Sequence, residues 1–309
     1  MIMKKTLSYI AGALMLLMPS LAGAQALPFT IADQSPVTLA KGTAGLTETG
    51  SIAHAAFNNA AAIPFSDTKF DVAAGYNMWQ PAAVNSTVIN AAGAFNVNGK
   101  LGFAAGFSYG MNPEYNITDA SGAVKGTFKP SDMQVNAGLA YRFIPALSLG
   151  ANVGYATSTL AEGHSYGTVT ADVFLMSQFS DFKVAAGVSN IGGTIKSATG
   201  AEFCLPGSIA LGLGYDKAFA EKHAVEVNVD ADYFFSGWIA AAFGASYTFN
   251  DLVSFRAGYR YGADSPIPSF ASVGAGVKFA GVKLDLAYLL AGADSPMKNT
   301  LALGLGYAF

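Results

Sequence analysis

The sequence predicts an all-β fold, a transmembrane antiparallel β-barrel of about 14 strands with a small N-terminal plug segment. Three observations carry this prediction: short segments that alternate between two faces, an asymmetry in the lengths of their connections, and the way the chain ends. Strict alternation with a period of two residues is typical of strands that present different faces to different surroundings.

The end of the chain shows the alternation most clearly. Large apolar side chains occupy one face of the last strand, and residues with small side chains occupy the other: Leu301, Leu303, Leu305, Tyr307 and Phe309 against Ala302, Gly304, Gly306 and Ala308. An apolar face toward lipid and an aromatic residue at the interface are typical of a transmembrane barrel strand. The terminal Phe309 also resembles the C-terminal signal that the assembly machinery of bacterial outer-membrane proteins reads.

Fourteen segments alternate in this way between turn residues. They cover residues 69–78, 84–97, 100–110, 132–143, 146–157, 166–177, 182–190, 207–216, 223–234, 238–249, 252–262, 269–279, 282–290 and 298–309. Most are close to the ~9–11 residues that a tilted strand needs to cross a bilayer. After residue 24 there is no apolar stretch long enough for a helical span, so the spans are predicted to be strands.

The connections are short after even-numbered segments and mostly longer after odd-numbered ones, as in 111–131 and 191–206. Short periplasmic turns and longer external loops are the pattern of outer-membrane barrels. With an even strand count, the N-terminal segment and Phe309 are both expected on the periplasmic side.

Export is predicted by the first 24 residues. Lys4 and Lys5 precede an apolar run, and Ala22-Gly23-Ala24 is a small-residue cleavage site before Gln25, so 1–24 is predicted to be a signal peptide. The only cysteine, Cys204, lies far from this site, which argues against a lipid anchor. Without the two lysines the formal charge changes from −3 to −5, so no basic surface for nucleic acid is expected.

Residues 25–68 do not alternate and precede the barrel, predicted to cover 69–309. They contain a glycine-rich stretch and the plug motif Phe57, Asn58, Asn59 and Ala60. Here the chain resembles the PorV/PorQ-type family of Bacteroidetes outer-membrane barrels, within the FadL-like group of long-chain fatty-acid transporters. That family has an aromatic-Asn-Pro-Ala element, so Asn59 stands in place of the proline. The resemblance implies fourteen strands with 25–68 folded into the lumen as a plug; the alternative is a disordered periplasmic leader.

Charged residues are few on the predicted inner face. The candidates are Arg142, Glu226, Asp230, Asp232, Arg256 and Arg260, with Asp172, Lys183, Lys278, Lys283 and Asp285 completing the set. Because buried charges require partners, we expect ion pairs across the lumen or with the plug; a polar conduction path is the alternative.

The sequence does not predict an enzyme. Gly106-Phe107-Ser108-Tyr109-Gly110 fits a nucleophile elbow by letters only, because it lies in a predicted strand followed by a long loop. The three histidines, His54, His164 and His223, are too dispersed for a metal site, and no cofactor motif is present.

Two functions remain open from the sequence. The family resemblance favours a structural, partner-binding component of an outer-membrane complex, as in type IX secretion, with outer-membrane lipid, the assembly machinery and outer-membrane or periplasmic proteins as partners. The alternative is FadL-like passive transport of small hydrophobic molecules. The polar turns of loop 111–131 favour the first, because external capture of an apolar molecule requires an apolar surface.

Overall fold

The computed structural model describes residues 25–196, 200–262 and 265–309. The predicted signal peptide lies outside the described residues. Within them, no helix is both long enough and apolar enough to cross a membrane.

Fourteen of the eighteen described strands form one closed antiparallel barrel, which confirms the predicted fold class. The strands are β1 (Phe70–Trp79), β2 (Ser86–Val97), β3 (Leu101–Met111), β4 (Tyr115–Thr118), β5 (Val124–Phe128), β6 (Ser131–Ile144), β7 (Leu147–Ala161), β8 (His164–Phe179), β9 (Phe182–Gly192), β10 (Ile195–Lys196), β11 (Glu202–Phe203), β12 (Ser208–Phe219), β13 (His223–Phe234), β14 (Ile239–Phe249), β15 (Val253–Tyr261), β16 (Phe270–Phe279), β17 (Val282–Leu290) and β18 (Leu301–Ala308). Each predicted segment corresponds to one barrel strand. The two remaining pairs, β4–β5 and β10–β11, are small hairpins within the loops 111–131 and 191–206.

The barrel closes where β1 pairs with β18. The amides of Lys69 and Phe70 both donate to the Phe309 carbonyl, at 2.8 and 2.9 Å, and the Phe309 amide donates to the Phe70 carbonyl at 3.0 Å. We call this end of the barrel, where the tight turns lie, the short-turn end; the opposite end is the long-loop end. The outer wall is apolar, with exposed residues such as Phe103, Leu139 and Leu305.

Residues 25–68 pack inside the barrel and are called the plug from here on. They contain two 3-10 helices, Pro28–Ile31 and Ala60–Phe65, and one short α-helix, α1 (Pro36–Leu39). Much of the segment is fully buried, including Leu39, Ile52 and Ile63. In α1, Leu39 packs with wall residues such as Phe270 and Leu289 in an apolar cluster.

Glycines on the inner wall let the plug backbone approach closely. A Cβ on Gly150 would overlap the backbone nitrogen of Ala61, and one on Gly106 would overlap the Phe57 ring. The plug therefore fills the space that larger side chains on the predicted inner face of small residues would take.

The plug runs from one end of the barrel to the other. Gln25 forms a parallel bridge with Cys204 at the long-loop end, whereas the Ser66 carbonyl accepts a 2.8 Å bond from Asn96 near the short-turn end. The N-terminal segment therefore extends through the lumen to the long-loop end, and the periplasmic side of the residues that directly precede β1 stays a prediction. Strand parity places only the residues that directly precede β1, and the preceding segment is long enough to span the lumen.

Candidate functional site

An apolar cavity of about 530 Å³ opens at the long-loop end, and we call it the outer cavity. Its walls come from the start of the plug, the ends of β7 and β8, and the β10–β11 hairpin. The lining residues are Gln25, Ala26, Leu27, Pro28, Phe29, Asn112, Asp132, Ser158, Leu160, Tyr166, Ile195 and Phe203. This volume falls in the ~300–1,000 Å³ range of small-molecule sites, which are mostly apolar with a few polar groups.

Hydrogen bonds hold the start of the plug in the wall of this cavity. The Ala26 amide donates to the Cys204 carbonyl at 2.8 Å, and Gln25 Nε2 donates to Ser236 Oγ at 2.9 Å. On the opposite side, the Tyr115 hydroxyl of β4 donates to the Leu160 carbonyl at 2.8 Å. The two loop hairpins and the plug are thereby tied to the rim of the barrel.

A second cavity of about 280 Å³ lies beside the first, and we call it the inner cavity. Its apolar side chains include Trp79, Val84, Val88 and Ile267. It shares four lining residues with the outer cavity, namely Pro28, Phe29, Asn112 and Asp132. Two apolar chambers therefore meet along one short stretch of plug and wall.

The expectation that the long loops lack an apolar capture surface is wrong. Loop 111–131 contributes the polar Asn112, but the outer cavity takes Phe203 from the β10–β11 hairpin, Leu160 from the end of β7 and Leu27 from the plug. None of these segments is amphipathic by itself. The apolar surface exists only after folding brings them together.

Residues of the predicted plug motif lie against β3, β6 and β7. Asn59 holds the second 3-10 helix, since its Oδ1 accepts from the Ala61 amide at 2.9 Å and its Nδ2 donates to the Leu46 carbonyl at 2.7 Å. The Asn58 carbonyl accepts from Asn152 Nδ2 at 3.1 Å. Phe57 covers Gly106, and Ala60 is fully buried.

The plug also carries a buried lysine that pairs with the wall. Lys41 is completely buried, and its Nζ lies 2.9 Å from Glu226 Oε1 of β13 and 2.8 Å from Asn228 Oδ1. It also pairs with Glu48 of the plug. Burial alone would lower the pKa of Lys41, but the Glu226 and Glu48 carboxylates raise it above its usual range. Burial would likewise raise the pKa of Glu48, but the Lys41 ammonium lowers it to about 2.

Two more predicted lumen charges on the wall bind the plug near a polar cavity of about 110 Å³. Asp230 Oδ2 accepts from the amides of Gly45 and Leu46, at 2.7 and 2.9 Å. Arg260 Nη1 donates to Thr43 Oγ1 at 2.8 Å. Asp232 lines the same cavity. Its Oδ1 accepts a hydrogen bond from Ser208 Oγ at 3.4 Å.

Asp172 lines the polar cavity too, whereas Arg256, Arg142 and Lys278 lie nearer the short-turn end. Arg256 Nη1 donates to Asp285 at 2.7 Å. Arg142 lies 4.7 Å from the centre of the Phe65 ring and donates to the Pro64 carbonyl at 3.3 Å. Lys278 is exposed, because its position falls at the end of β16.

Lys41, Glu48 and Asp71 are the site residues that the sequence reasoning missed. Asp71 pairs with Lys283 and accepts the Ile52 amide at 3.0 Å. Charges are rare among residues 25–68. Because a buried charge requires a partner, the isolated lysine in this apolar segment could have indicated an acidic residue on the barrel wall.

Metal-ligand geometry is not found in the described part of the chain, where no group of three or more His, Cys, Asp or Glu residues could hold an ion. His54 is buried, and its Nε2 lies 2.9 Å from Asn90 Oδ1. Burial lowers the pKa of His54.

Solved structures provide a comparison for this fold. The Ralstonia pickettii toluene transporter TbuX aligns with a TM-score of 0.62 at 12% identity, over 91% of this chain and 99% of that one. The Pseudomonas putida toluene transporter TodX aligns with 0.62 at 12% identity, over 89% and 98%. A Pseudomonas aeruginosa FadL homologue aligns with 0.53 at 14% identity, over 89% and 98%.

No protein-family model and no curated protein matches the sequence. At identities this low the similarity concerns the fold and not the substrate. The chain folds as a fourteen-stranded barrel whose structural neighbours include a FadL homologue and toluene transporters.

Proposed function

We propose that this protein is a passive outer-membrane transporter of small hydrophobic molecules in a bacterial cell. The observation that carries the proposal is the outer cavity, an apolar chamber at the long-loop end whose wall includes the first residues of the plug. Molecules that partition out of water into such a chamber are concentrated at the barrel without any energy source.

The outer-membrane location is supported by the apolar outer wall and by the barrel itself. Residues such as Phe103, Leu139 and Leu305 stand exposed on the outer wall, and a closed barrel is one of the two structures that satisfy every backbone hydrogen bond in lipid. Short turns then face the periplasm and the long loops face the exterior.

The similar structures support the same substrate class. Two neighbours are described as toluene transporters, and another as a monoaromatic hydrocarbon channel, CymD, with a TM-score of 0.60 at 13% identity. Their cargo is a property of those proteins. It favours transport here because this barrel has its own apolar cavities at one end.

The partner-binding role in a PorV/PorQ-like complex ranks second and stays a prediction. Besides the family resemblance, the argument for it is that the polar loop 111–131 leaves no apolar capture surface. The outer cavity, built from other segments, removes that argument.

Binding of radiolabelled toluene to the purified full-length barrel tests the proposal. We expect saturable binding that Phe203→Asp reduces at least about tenfold, because a carboxylate in an apolar cavity removes the favourable transfer of the ligand. Val124→Asp is the matched control, since Val124 is an exposed apolar residue of the neighbouring β4–β5 hairpin outside the cavity. Absence of saturable toluene binding, together with co-purification of a stoichiometric outer-membrane protein, would favour the partner-binding role instead.

A further inference from the structure

Asp132 occupies the junction between the two apolar cavities. It lies near the start of β6 and lines both the outer and the inner cavity, as do Asn112 of the adjoining loop and Pro28 and Phe29 of the plug. These four residues, which we call the neck, lie between the two cavities and line both of them.

A chain of hydrogen bonds fixes the carboxylate of Asp132 at the neck. Asn112 Nδ2 donates to Asp132 Oδ2 at 2.9 Å, and Ser86 Oγ of β2 donates to Asn112 Oδ1 at 2.5 Å. The side chain is half-buried. Its position is thus set by two neighbouring side chains.

The charge of this carboxylate has no counterpart in either cavity. Among the described residues that line them, Asp132 is the only Asp or Glu, and none is Lys, Arg or His. In the described part of the chain, Asp132 also takes part in none of the ion pairs. Near apolar walls, the repulsion between two negative charges is screened less than in bulk water.

We propose that Asp132 determines the specificity of the transporter by excluding carboxylates at the neck, so that its substrates are uncharged apolar molecules rather than fatty-acid anions. The inference rests on the proposed function and names the substrate class of the same site. An uncharged ring or chain meets the carboxylate without electrostatic penalty, whereas an anion meets a like charge that no cationic side chain of the described lining offsets.

The predicted cleavage before Gln25 bears on this charge balance. A mature chain beginning at Gln25 adds an amino group to the outer cavity, which Gln25 lines. Gln25 does not line the inner cavity, where Asp132 is the one charged side chain among the described lining residues. A readout confined to the inner cavity therefore isolates the effect of Asp132.

Trp79 provides that readout, because it lines the inner cavity. The chain has two tryptophans, so Trp238→Phe leaves Trp79 as the sole reporter. Toluene and benzoate, which share one ring and differ in charge, are titrated at neutral pH against Trp79 emission of the full-length barrel. We expect Asp132→Asn to tighten benzoate binding about tenfold, which is about 1.4 kcal/mol, and to change toluene binding less than about twofold.

Glu114→Gln is the matched control. It removes one negative charge from the same end of the barrel, but Glu114 is exposed and lines neither cavity. Equal effects of the two substitutions on benzoate, or no effect of Asp132→Asn while toluene binds, would overturn the role of Asp132 and leave the proposed function standing. Failure of toluene to bind the unaltered protein would overturn the proposed function itself.

A comparison without an Asp132 variant covers the case in which Asp132→Asn does not assemble. Benzylammonium and benzoate are similar in size and opposite in charge, so the neck predicts tighter binding of benzylammonium in the Trp238→Phe protein. Equal binding, or tighter binding of benzoate, would contradict an excluding carboxylate.

Discussion

The ammonium of Lys41 lies 2.9 Å from the carboxylate of Glu226, which joins the plug to the barrel wall inside the lumen. Lys41 is completely buried, and Glu48 shares it. Because a buried pair must offset the desolvation of both partners, removing one partner harms stability far more than removing a surface pair. Lys41 thus ties the plug to β13 through a charge pair inside the lumen.

Lys41→Met should release the plug at lower urea concentration. It leaves the buried Glu48 and the half-buried Glu226 without the Lys41 ammonium, with an expected loss of about 3–5 kcal/mol. Trp79 packs against the apolar cluster that contains Leu39 of α1, so its emission reports plug release. Lys196→Met is the control, because Lys196 and Glu202 are both exposed and their pair is worth only about 0–1 kcal/mol. Equal shifts for the two variants would show that Lys41 does not anchor the plug.

Gly150→Leu should push the plug away from β7 and make the barrel leak ions. A side chain at Gly150 overlaps the Ala61 backbone, which gives less easily than the end of a flexible side chain. In planar bilayers we expect little or no conductance from the unaltered protein, measurable conductance from Gly150→Leu, and the largest from a deletion of residues 30–62. The last expectation follows because a fourteen-strand wall of small residues is too wide to fill itself.

Gly126→Leu serves as the control for that experiment. Gly126 lies in the β4–β5 hairpin, and a Cβ there meets no heavy atom within 4 Å. Conductance from Gly126→Leu equal to that from Gly150→Leu, or a silent deletion of 30–62, would contradict a sealing plug.

Phe309 should support assembly through both its ring and its backbone. Its ring lies 5.6 Å from that of Phe70, and its backbone makes three hydrogen bonds at the seam between β1 and β18. Deleting Phe309 removes both contributions, so it should lower the amount of heat-modifiable barrel more than Phe309→Ala, which removes only the ring. Deletion of Gly122, in the β4–β5 turn, is the control. Full assembly without Phe309 would remove its predicted role as an assembly signal.

The barrel strands could be predicted because neighbouring residues in the sequence determine them. Leu303 and Gly304 are adjacent in the strand and therefore point to opposite faces, and the same alternation recurs in every segment. The turns are equally local, as in Asn98-Gly99, where both residues have the positive φ that such a turn requires. Period and turn chemistry together determine a strand without reference to distant residues.

The site could not be predicted in the same way, because its contacts join distant parts of the chain. Lys41 and Glu226 are 185 positions apart, and neither residue alone indicates the other. The outer cavity likewise depends on Leu27, Leu160 and Phe203 meeting at one rim. Polarity of a single loop was therefore a poor guide to the polarity of the chamber.

The plug motif lies between these two cases. Asn59, which replaces the proline of the resembling family, uses its side chain both to cap the second 3-10 helix and to bind the Leu46 carbonyl. A proline offers neither bond. The bond from Asn59 to the helix start is local and can be predicted from the sequence. The bond from Asn59 to Leu46 cannot, because it depends on the tertiary fold.

The end-to-end course of the plug constrains how this protein is built. Gln25 lies at one mouth of a closed ring of strands and Ser66 near the other. The close contacts of Phe57 with Gly106 and of Lys41 with β13 leave little room for these side chains to slide through a finished ring. The simplest order of events is that the strands assemble around a plug already in place, and that pairing of β1 with β18 closes the barrel last.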